Sequence, residues 1–310
     1  MSQKQPFFQR FYIYQNERFP FLSNGLFLTA FTFSAISYSR ICRGAAGFVD
    51  VKYFISAAIT TISFFFLLRI VDEFKDADYD AEYRQHLPVP RKLISFKELR
   101  WMGVIALIIL LGINLILTPE MLKWLVIPLL FLLLIAKDFF VSEWLNRNWA
   151  IFVGVHMLFF PAIDYYTSGM DWYMEGPGQP AFGMIFFFAL SYANGLVWEI
   201  GRKLKTSENE EHNSYSRRYG RKKATWFWIA AISIAYLFAI LAAVYAGFGW
   251  LGVSLLSLIY LSSLSYGILF LFRQSIRLSK LIEVASGAWG LFMYLTIGAL
   301  PMILKLLGKL

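Results

Sequence analysis

Nine long apolar runs limit what this chain can fold into more than any other feature of its 310-residue sequence. About 20 apolar residues cross the hydrocarbon core of a bilayer as a helix, and each run is near that length. The composition agrees, because 58% of the residues are hydrophobic and only 16% are charged. We therefore predict a polytopic membrane protein with nine transmembrane helices, over residues 21–40, 51–71, 101–117, 122–137, 149–166, 181–198, 225–246, 251–272 and 281–307.

Loop charge predicts how these helices are oriented. The loops after spans two, four, six and eight contain lysine and arginine, whereas the alternate loops 118–121, 167–180 and 247–250 contain neither. By the positive-inside rule the basic loops are cytoplasmic, which puts the N-terminus inside and the C-terminus outside, in the cell (inner) membrane. Arg43 and Lys52 are exceptions in the first outer loop. We attribute the net charge of +9 to this topology and not to nucleic-acid binding.

Residues 1–20 mix basic and aromatic side chains, as an N-terminal interfacial segment lying on the membrane would; a floppy terminus is the alternative. The segment lacks the compact apolar core of a cleavable signal peptide. The single cysteine, Cys42, excludes an intramolecular disulfide. His156 lies inside span five, where we expect a buried hydrogen-bonding role.

Three aspartates at the end of span two suggest a metal site. Asp72, Asp76 and Asp80 are spaced four residues apart, so a continuous helix would place their carboxylates on one face. Like charges at this spacing repel, and a cation above them would remove the repulsion. Magnesium suits such oxygen ligands together with substrate phosphates. The alternative is a solvated acidic helix end.

The end of span six carries a second charged group, predicted on the same side of the membrane. Glu199 is followed by Arg202 and Lys203, and acids from two helix ends next to basic residues suit a metal-bridged diphosphate. We predict Asp72, Asp76, Asp80 and Glu199 as catalytic metal ligands. A bound diphosphate would be held by Arg91, Arg202 and Lys203. Aromatic side chains in the interior could face an allyl cation.

These motifs resemble the first signature of the UbiA superfamily of intramembrane prenyltransferases: Asp72-xxx-Asp76-xxx-Asp80, then Pro88-Val-Pro90. The resemblance covers most of the chain. It implies an all-α bundle over residues 21–310 around a central cavity open toward the cytoplasmic side, with magnesium, an isoprenyl diphosphate and an aromatic or lipophilic acceptor. Loops 72–100 and 199–224 would then cap the active site.

The chain departs from the family pattern in two places. The family usually has Asp-x-x-x-Asp at the end of span six, where this chain has Glu199 and Lys203, with further acids at Glu208, Glu210 and Glu211. Leu87 stands where an arginine usually precedes the Pro-x-Pro turn.

Three hypotheses about function remain open from the sequence. The first is prenyl transfer from an isoprenyl diphosphate to an acceptor. The second is a terpene cyclase, because some UbiA relatives close the prenyl cation on itself. The third, more distant, is a transporter or permease, whose acidic site we would expect near the bilayer midplane and not at its edge.

Overall fold

The structure is a computed structural model that describes residues 5–207 and 214–308. Over these residues it contains helices and no strand, which confirms the all-α prediction. Fifteen α-helices are described: α1 Phe7–Arg18, α2 Phe21–Cys42, α3 Val51–Lys75, α4 Ala77–Tyr83, α5 Phe96–Leu117, α6 Leu122–Ala136, α7 Ser142–Arg147, α8 Trp149–Met157, α9 Phe159–Trp172, α10 Met184–Arg202, α11 Tyr215–Tyr219, α12 Arg221–Tyr245, α13 Gly249–Phe272, α14 Ile276–Tyr294 and α15 Leu300–Leu306.

Nine helical segments within the described residues are long and apolar enough to cross a membrane, as predicted. They are Phe21–Cys42, Val51–Lys75, Phe96–Leu117, Pro119–Ala136, Trp149–Trp172, Met184–Arg202, Arg221–Tyr245, Gly249–Phe272 and Ile276–Leu306. Spans two and six extend beyond the hydropathy boundaries by a helical turn. Helical hydrogen bonding does not require apolar side chains, so α3 and α10 continue through their charged ends.

Two prolines explain why spans five and nine are not uniform α-helices. A proline nitrogen cannot donate to the carbonyl four residues earlier. Pro161 leaves the carbonyl of Met157 without this bond, and α8 ends at Met157. Pro301 does the same to Ile297, which lies in the π-helical segment Leu295–Ala299 that joins α14 to α15.

Helix α10 is the central element for the site, since it packs against α9, α12 and α14. Gly201, near its charged end, is one reason for this close packing. A Cβ atom there would lie 2.1 Å from the Ser286 hydroxyl oxygen and 3.0 Å from the Trp228 indole nitrogen. Those two groups hydrogen-bond each other at 2.9 Å. The glycine therefore lets α10 lie directly against α12 and α14 and fixes the helix end that carries Glu199.

The end of the bundle away from the acidic motif holds a buried network of charges. Asp171 is fully buried and is bound by Arg40 at 3.0 Å and by Arg43 at 2.6 Å. Glu175 pairs with Arg40 at 2.7 Å and accepts the backbone N–H of Asp50 at 2.8 Å. The position of Arg43 in a predicted outer loop thus has a structural reason, because its charge is neutralised by Asp171.

Candidate functional site

The acidic motif is bent and does not form one continuous stripe. Helix α3 ends at Lys75, α4 begins at Ala77, and Asp76 between them has φ −89° and ψ 8°. The backbone hydrogen bonds Asp76 N–H to Asp72 O and Asp80 N–H to Asp76 O persist at 2.9 and 2.7 Å. The bend therefore redirects the chain without releasing it. Among the described residues, no three His, Cys, Asp or Glu side chains lie close enough to hold a metal ion together.

The three aspartates consequently have different environments. The Asp72 side chain is 36% exposed and its nearest cation is Arg69, at 3.8 Å. Asp76 is exposed. Asp80 is buried between Arg84 at 3.5 Å and Arg18 at 3.9 Å. Burial raises the pKa of the Asp80 carboxyl above its ordinary value, although Arg84 opposes this shift.

We use the term recess for the accessible space beside Asp72 at the end of α3. A third of the Asp72 side chain is accessible, although many protein atoms surround it. The same holds for Arg202, whose side chain is 40% exposed within a protein enclosure. Asp72 and Arg202 attract each other electrostatically. This interaction puts the charged ends of spans two and six at the same end of the bundle. That they line one cavity stays a prediction.

Glu199 lies beside this recess and carries two cations. Its carboxylate accepts hydrogen bonds from Nε and Nη2 of Arg202 at 2.8 and 2.5 Å, and lies 2.5 Å from Nζ of Lys203. The Glu199 side chain is 9% exposed. An acid that is already paired twice is a weaker candidate for metal binding than Asp72, and a stronger candidate for holding Arg202 and Lys203 in place.

The loop after span six folds back over this group. Ser214 caps the short helix α11 by accepting the N–H of Arg217, and Tyr215 packs its ring against Trp149 with ring centroids 3.9 Å apart. Burial raises the pKa of the Tyr215 phenol, and the neighbouring Glu199 charge raises it further. Glu208, Glu210 and Glu211, the acids that could supplement Glu199, lie outside the described residues.

Arg91 is not brought to the recess with the other predicted diphosphate ligands. Its guanidinium donates to Glu17 at 2.9 and 2.7 Å and to the carbonyl of His86 at 2.6 Å. These bonds tie Arg91 to the N-terminal helix α1. A role in diphosphate binding stays a prediction and would require Arg91 to leave Glu17.

The residues present fit a magnesium ion with fewer protein ligands than the sequence suggested. Magnesium is usually held by one or two carboxylates, substrate phosphates and its own waters. Asp72 and Asp76 are near enough to repel each other electrostatically, and they adjoin the recess that Arg202 borders. These two side chains would hold the ion, while Asp80 is engaged elsewhere and Glu199 is saturated by cations. All four assignments stay predictions.

Two ionisable residues were missed by the sequence reasoning. Arg69 lies one helical turn before Asp72 and pairs with it. Asp164, in α9, is fully buried, and its carboxylate faces the Ser191 hydroxyl without a well-formed hydrogen bond. The sequence could have indicated both residues, because a charged residue inside an apolar run is a candidate functional residue by default. Asp164 also shows that the acids of this protein are not confined to the helix ends.

His156 is buried and hydrogen-bonded, as the sequence predicted. Its Nδ1 lies 2.7 Å from the carbonyl oxygen of Phe152, and its Nε2 lies 3.3 Å from Nζ of Lys75. Lys75 in turn binds Asp138 at 2.5 Å. This chain of contacts links the end of span two to the segment that follows span four.

Comparison with known proteins places this arrangement in a family. The UbiA prenyltransferase family matches residues 30–296, and no curated protein matches the chain. A solved structure of a digeranylgeranylglyceryl phosphate synthase is similar in fold, with a TM-score of 0.61 at 16% identity, over 93% of this chain and 99% of that one. The family match spans most of the chain and includes both charged motifs, and it supports a prenyltransferase kind of function. The chain therefore belongs to the UbiA prenyltransferase family.

Proposed function

We propose that this protein is a magnesium-dependent prenyltransferase that ionises an isoprenyl diphosphate and transfers the prenyl group to a lipophilic acceptor. The observation that supports the proposal is that Asp72 of span two and Arg202 of span six, both partly accessible, lie near enough to attract each other. Carboxylates at one wall and guanidinium at the other suit a diphosphate whose charge is shared between a divalent ion and basic side chains.

Arg202 is suited to hold diphosphate while keeping its partner. Its Nε and Nη2 atoms bind Glu199, and Nη1 takes no part in that pair. A guanidinium has five N–H donors, so further donors remain for phosphate oxygens. Lys203 adds a second positive charge next to the same carboxylate. Glu199 thereby acts as the residue that orients both cations.

The reaction breaks the bond between the prenyl C1 and a diphosphate oxygen, and the electron pair leaves with the diphosphate. Arg202 and Lys203 stabilise the charge that develops there. A bound magnesium ion would neutralise more of that charge. The acceptor then forms a bond to C1 and loses a proton. The rings of Phe31 and Phe65 pack against each other, with centroids 6.4 Å apart. Such aromatic side chains would give the prenyl chain an apolar environment.

In this proposal the recess opens to the cytoplasm, since the basic loops border it. The structural relative is named as a digeranylgeranylglyceryl phosphate synthase. For this chain we propose only that the acceptor is lipophilic.

The test is to incubate the purified protein with farnesyl or geranylgeranyl diphosphate and magnesium, with and without lipophilic acceptors, and to measure diphosphate and prenyl products. Asp76→Ala should reduce turnover by about a hundredfold or more, because it removes a proposed metal ligand. Asp78→Ala is the matched control, since Asp78 is an exposed neighbouring aspartate, and should retain activity.

The outcomes separate the hypotheses. Acceptor-dependent prenylated product supports the transferase. Cyclic hydrocarbon released without any acceptor supports the cyclase instead. Full activity in Asp76→Ala would contradict the metal assignment.

A further inference from the structure

The N-terminal helix α1 presents one face to the acidic motif. Arg10, Tyr14 and Arg18 are spaced four residues apart and therefore share a face of this helix. Tyr14 is fully buried, and its hydroxyl has no hydrogen-bond partner. The family match begins only at residue 30. Helix α1 therefore lies outside the matched region.

Arg18 contacts the acidic motif on both sides of its bend. Its Nε donates to the Glu73 carboxylate at the end of α3. Its Nη2 lies 3.9 Å from the Asp80 carboxylate in α4. Both acids are almost completely buried, with side chains 1% and 3% exposed. A buried carboxylate without a partner is costly, so Glu73 depends on this guanidinium, whereas Asp80 shares it with the nearer Arg84.

The bend at Asp76 lies between the two residues that Arg18 holds. Asp76 follows Glu73 by three residues and precedes Asp80 by four, and Asp72 is the neighbour of Glu73 in sequence. Asp72 lies within α3 and Asp76 lies at its junction with α4, so the relative direction of the two helices affects how the two carboxylates are placed relative to each other. A planar guanidinium can bind one carboxylate on each side, which a lysine ammonium cannot do in a fixed geometry.

We propose that Arg18 is a positioning residue: it clamps α3 to α4 across the bend and thereby sets the placement of Asp72 and Asp76. The consequence for catalysis rests on the proposed function, whereas the clamp itself does not. Other charges face the same region. Arg84 shares Asp80, and Arg69 faces Tyr14 and Glu73.

Helix α1 also has an anchor that does not involve the motif, and this provides a control. Arg10 binds Glu98 at 2.6 and 3.1 Å and the carbonyl of Leu93 at 2.9 Å. Glu98 belongs to the capping box of α5. Arg10→Met therefore weakens the docking of α1 without touching the bend, whereas Arg18→Met removes the clamp.

The first experiment measures hydrogen exchange of residues 77–83 in the whole protein. Arg18→Met should accelerate exchange in this segment about tenfold, because α4 loses its tie to α3. Arg10→Met should leave it within about twofold of the original rate. The double variant Arg18→Met, Glu73→Gln removes the unpaired buried charge, so it should regain thermal stability and still exchange rapidly. Unchanged exchange in Arg18→Met would overturn the proposal.

The second experiment measures turnover of farnesyl diphosphate at varied magnesium concentration. Arg18→Met and the double variant should raise the magnesium concentration for half-maximal rate and lower kcat/KM about tenfold. Arg10→Met should change neither. A double variant with the original magnesium dependence would show that Arg18 only stabilises the fold. If the unmodified protein gives no turnover, the proposed function fails, and the exchange experiment still decides whether Arg18 is a clamp.

Discussion

The two charged ends of the bundle differ in how completely their charges are satisfied. They lie at opposite ends of α3, about 33 Å apart for the 22 residues from Asp50 to Asp72 at 1.5 Å per residue. At one end Asp171 is fully buried and accepts hydrogen bonds from Arg40, Arg43 and Ser39. At the other, Asp72 has a loose contact with Arg69, and Arg202 is 40% exposed.

This difference separates a structural cluster from a functional one. A buried charge whose hydrogen bonds are all made by protein holds helices together and offers nothing to a ligand. Charges that border an accessible recess keep donors and acceptors available. The presence of Asp, Glu and Arg does not distinguish the two clusters, because both contain all three residue types.

The largest effect on stability is expected from Asp171→Asn. This change leaves buried Arg40 with Glu175 alone and half-buried Arg43 beside a neutral amide. Breaking a buried pair typically costs about 3–5 kcal/mol. Thermal unfolding followed in detergent should therefore show a clearly lowered Tm. Turnover per folded molecule should stay close to that of the unmodified protein. Equal loss of stability and specific activity would mean that this end also serves catalysis.

The next effect concerns activity at the other end. Arg202→Lys keeps the positive charge but loses the forked geometry that binds Glu199 and could bind diphosphate. We expect kcat/KM for the isoprenyl diphosphate to fall about ten- to a hundredfold, which corresponds to about 1.4–2.7 kcal/mol. Arg43→Lys is the matched control at the opposite end. Similar kinetics in both variants would remove the distinction between the clusters.

A smaller effect, in the direction of greater stability, is expected at Asp164. Its carboxylate is fully buried and faces the Ser191 hydroxyl without a well-formed hydrogen bond. The neutral amide in Asp164→Asn should therefore be less costly to bury, by about 1–3 kcal/mol. The measurement is Tm together with turnover. A lowered Tm would show that Asp164 already has a stabilising partner and belongs with Asp171.

The smallest effect is expected from Arg91→Ala. Arg91 and Glu17 form an ion pair whose side chains are 35% and 39% exposed, and such pairs contribute about 0–1 kcal/mol. The KM for the isoprenyl diphosphate should therefore stay unchanged in steady-state assays. A KM raised by about tenfold would instead support the role in diphosphate binding that the sequence suggested.

The sequence by itself determined the number of spans and the residues that form the two charged motifs. Nine apolar runs must become helices in a bilayer, since backbone polar groups have no other way to be satisfied there. It also indicated that Asp72 and Arg202 would lie at one end, because their loops carry the same charge bias. The spacing of Asp72, Asp76 and Asp80 predicted one acidic face only on the condition that the helix continued.

The tertiary structure decided which of these charges remain available. Asp80 is buried next to Arg18 and Arg84, and Arg91 forms an ion pair with Glu17. Glu199 is occupied by Arg202 and Lys203. Ion pairing between residues dozens of positions apart, such as Arg18 with Glu73 or Arg40 with Asp171, leaves no periodic trace in a sequence. It depends on how helices pack, and packing alone settles whether a charged side chain binds its own protein or a ligand.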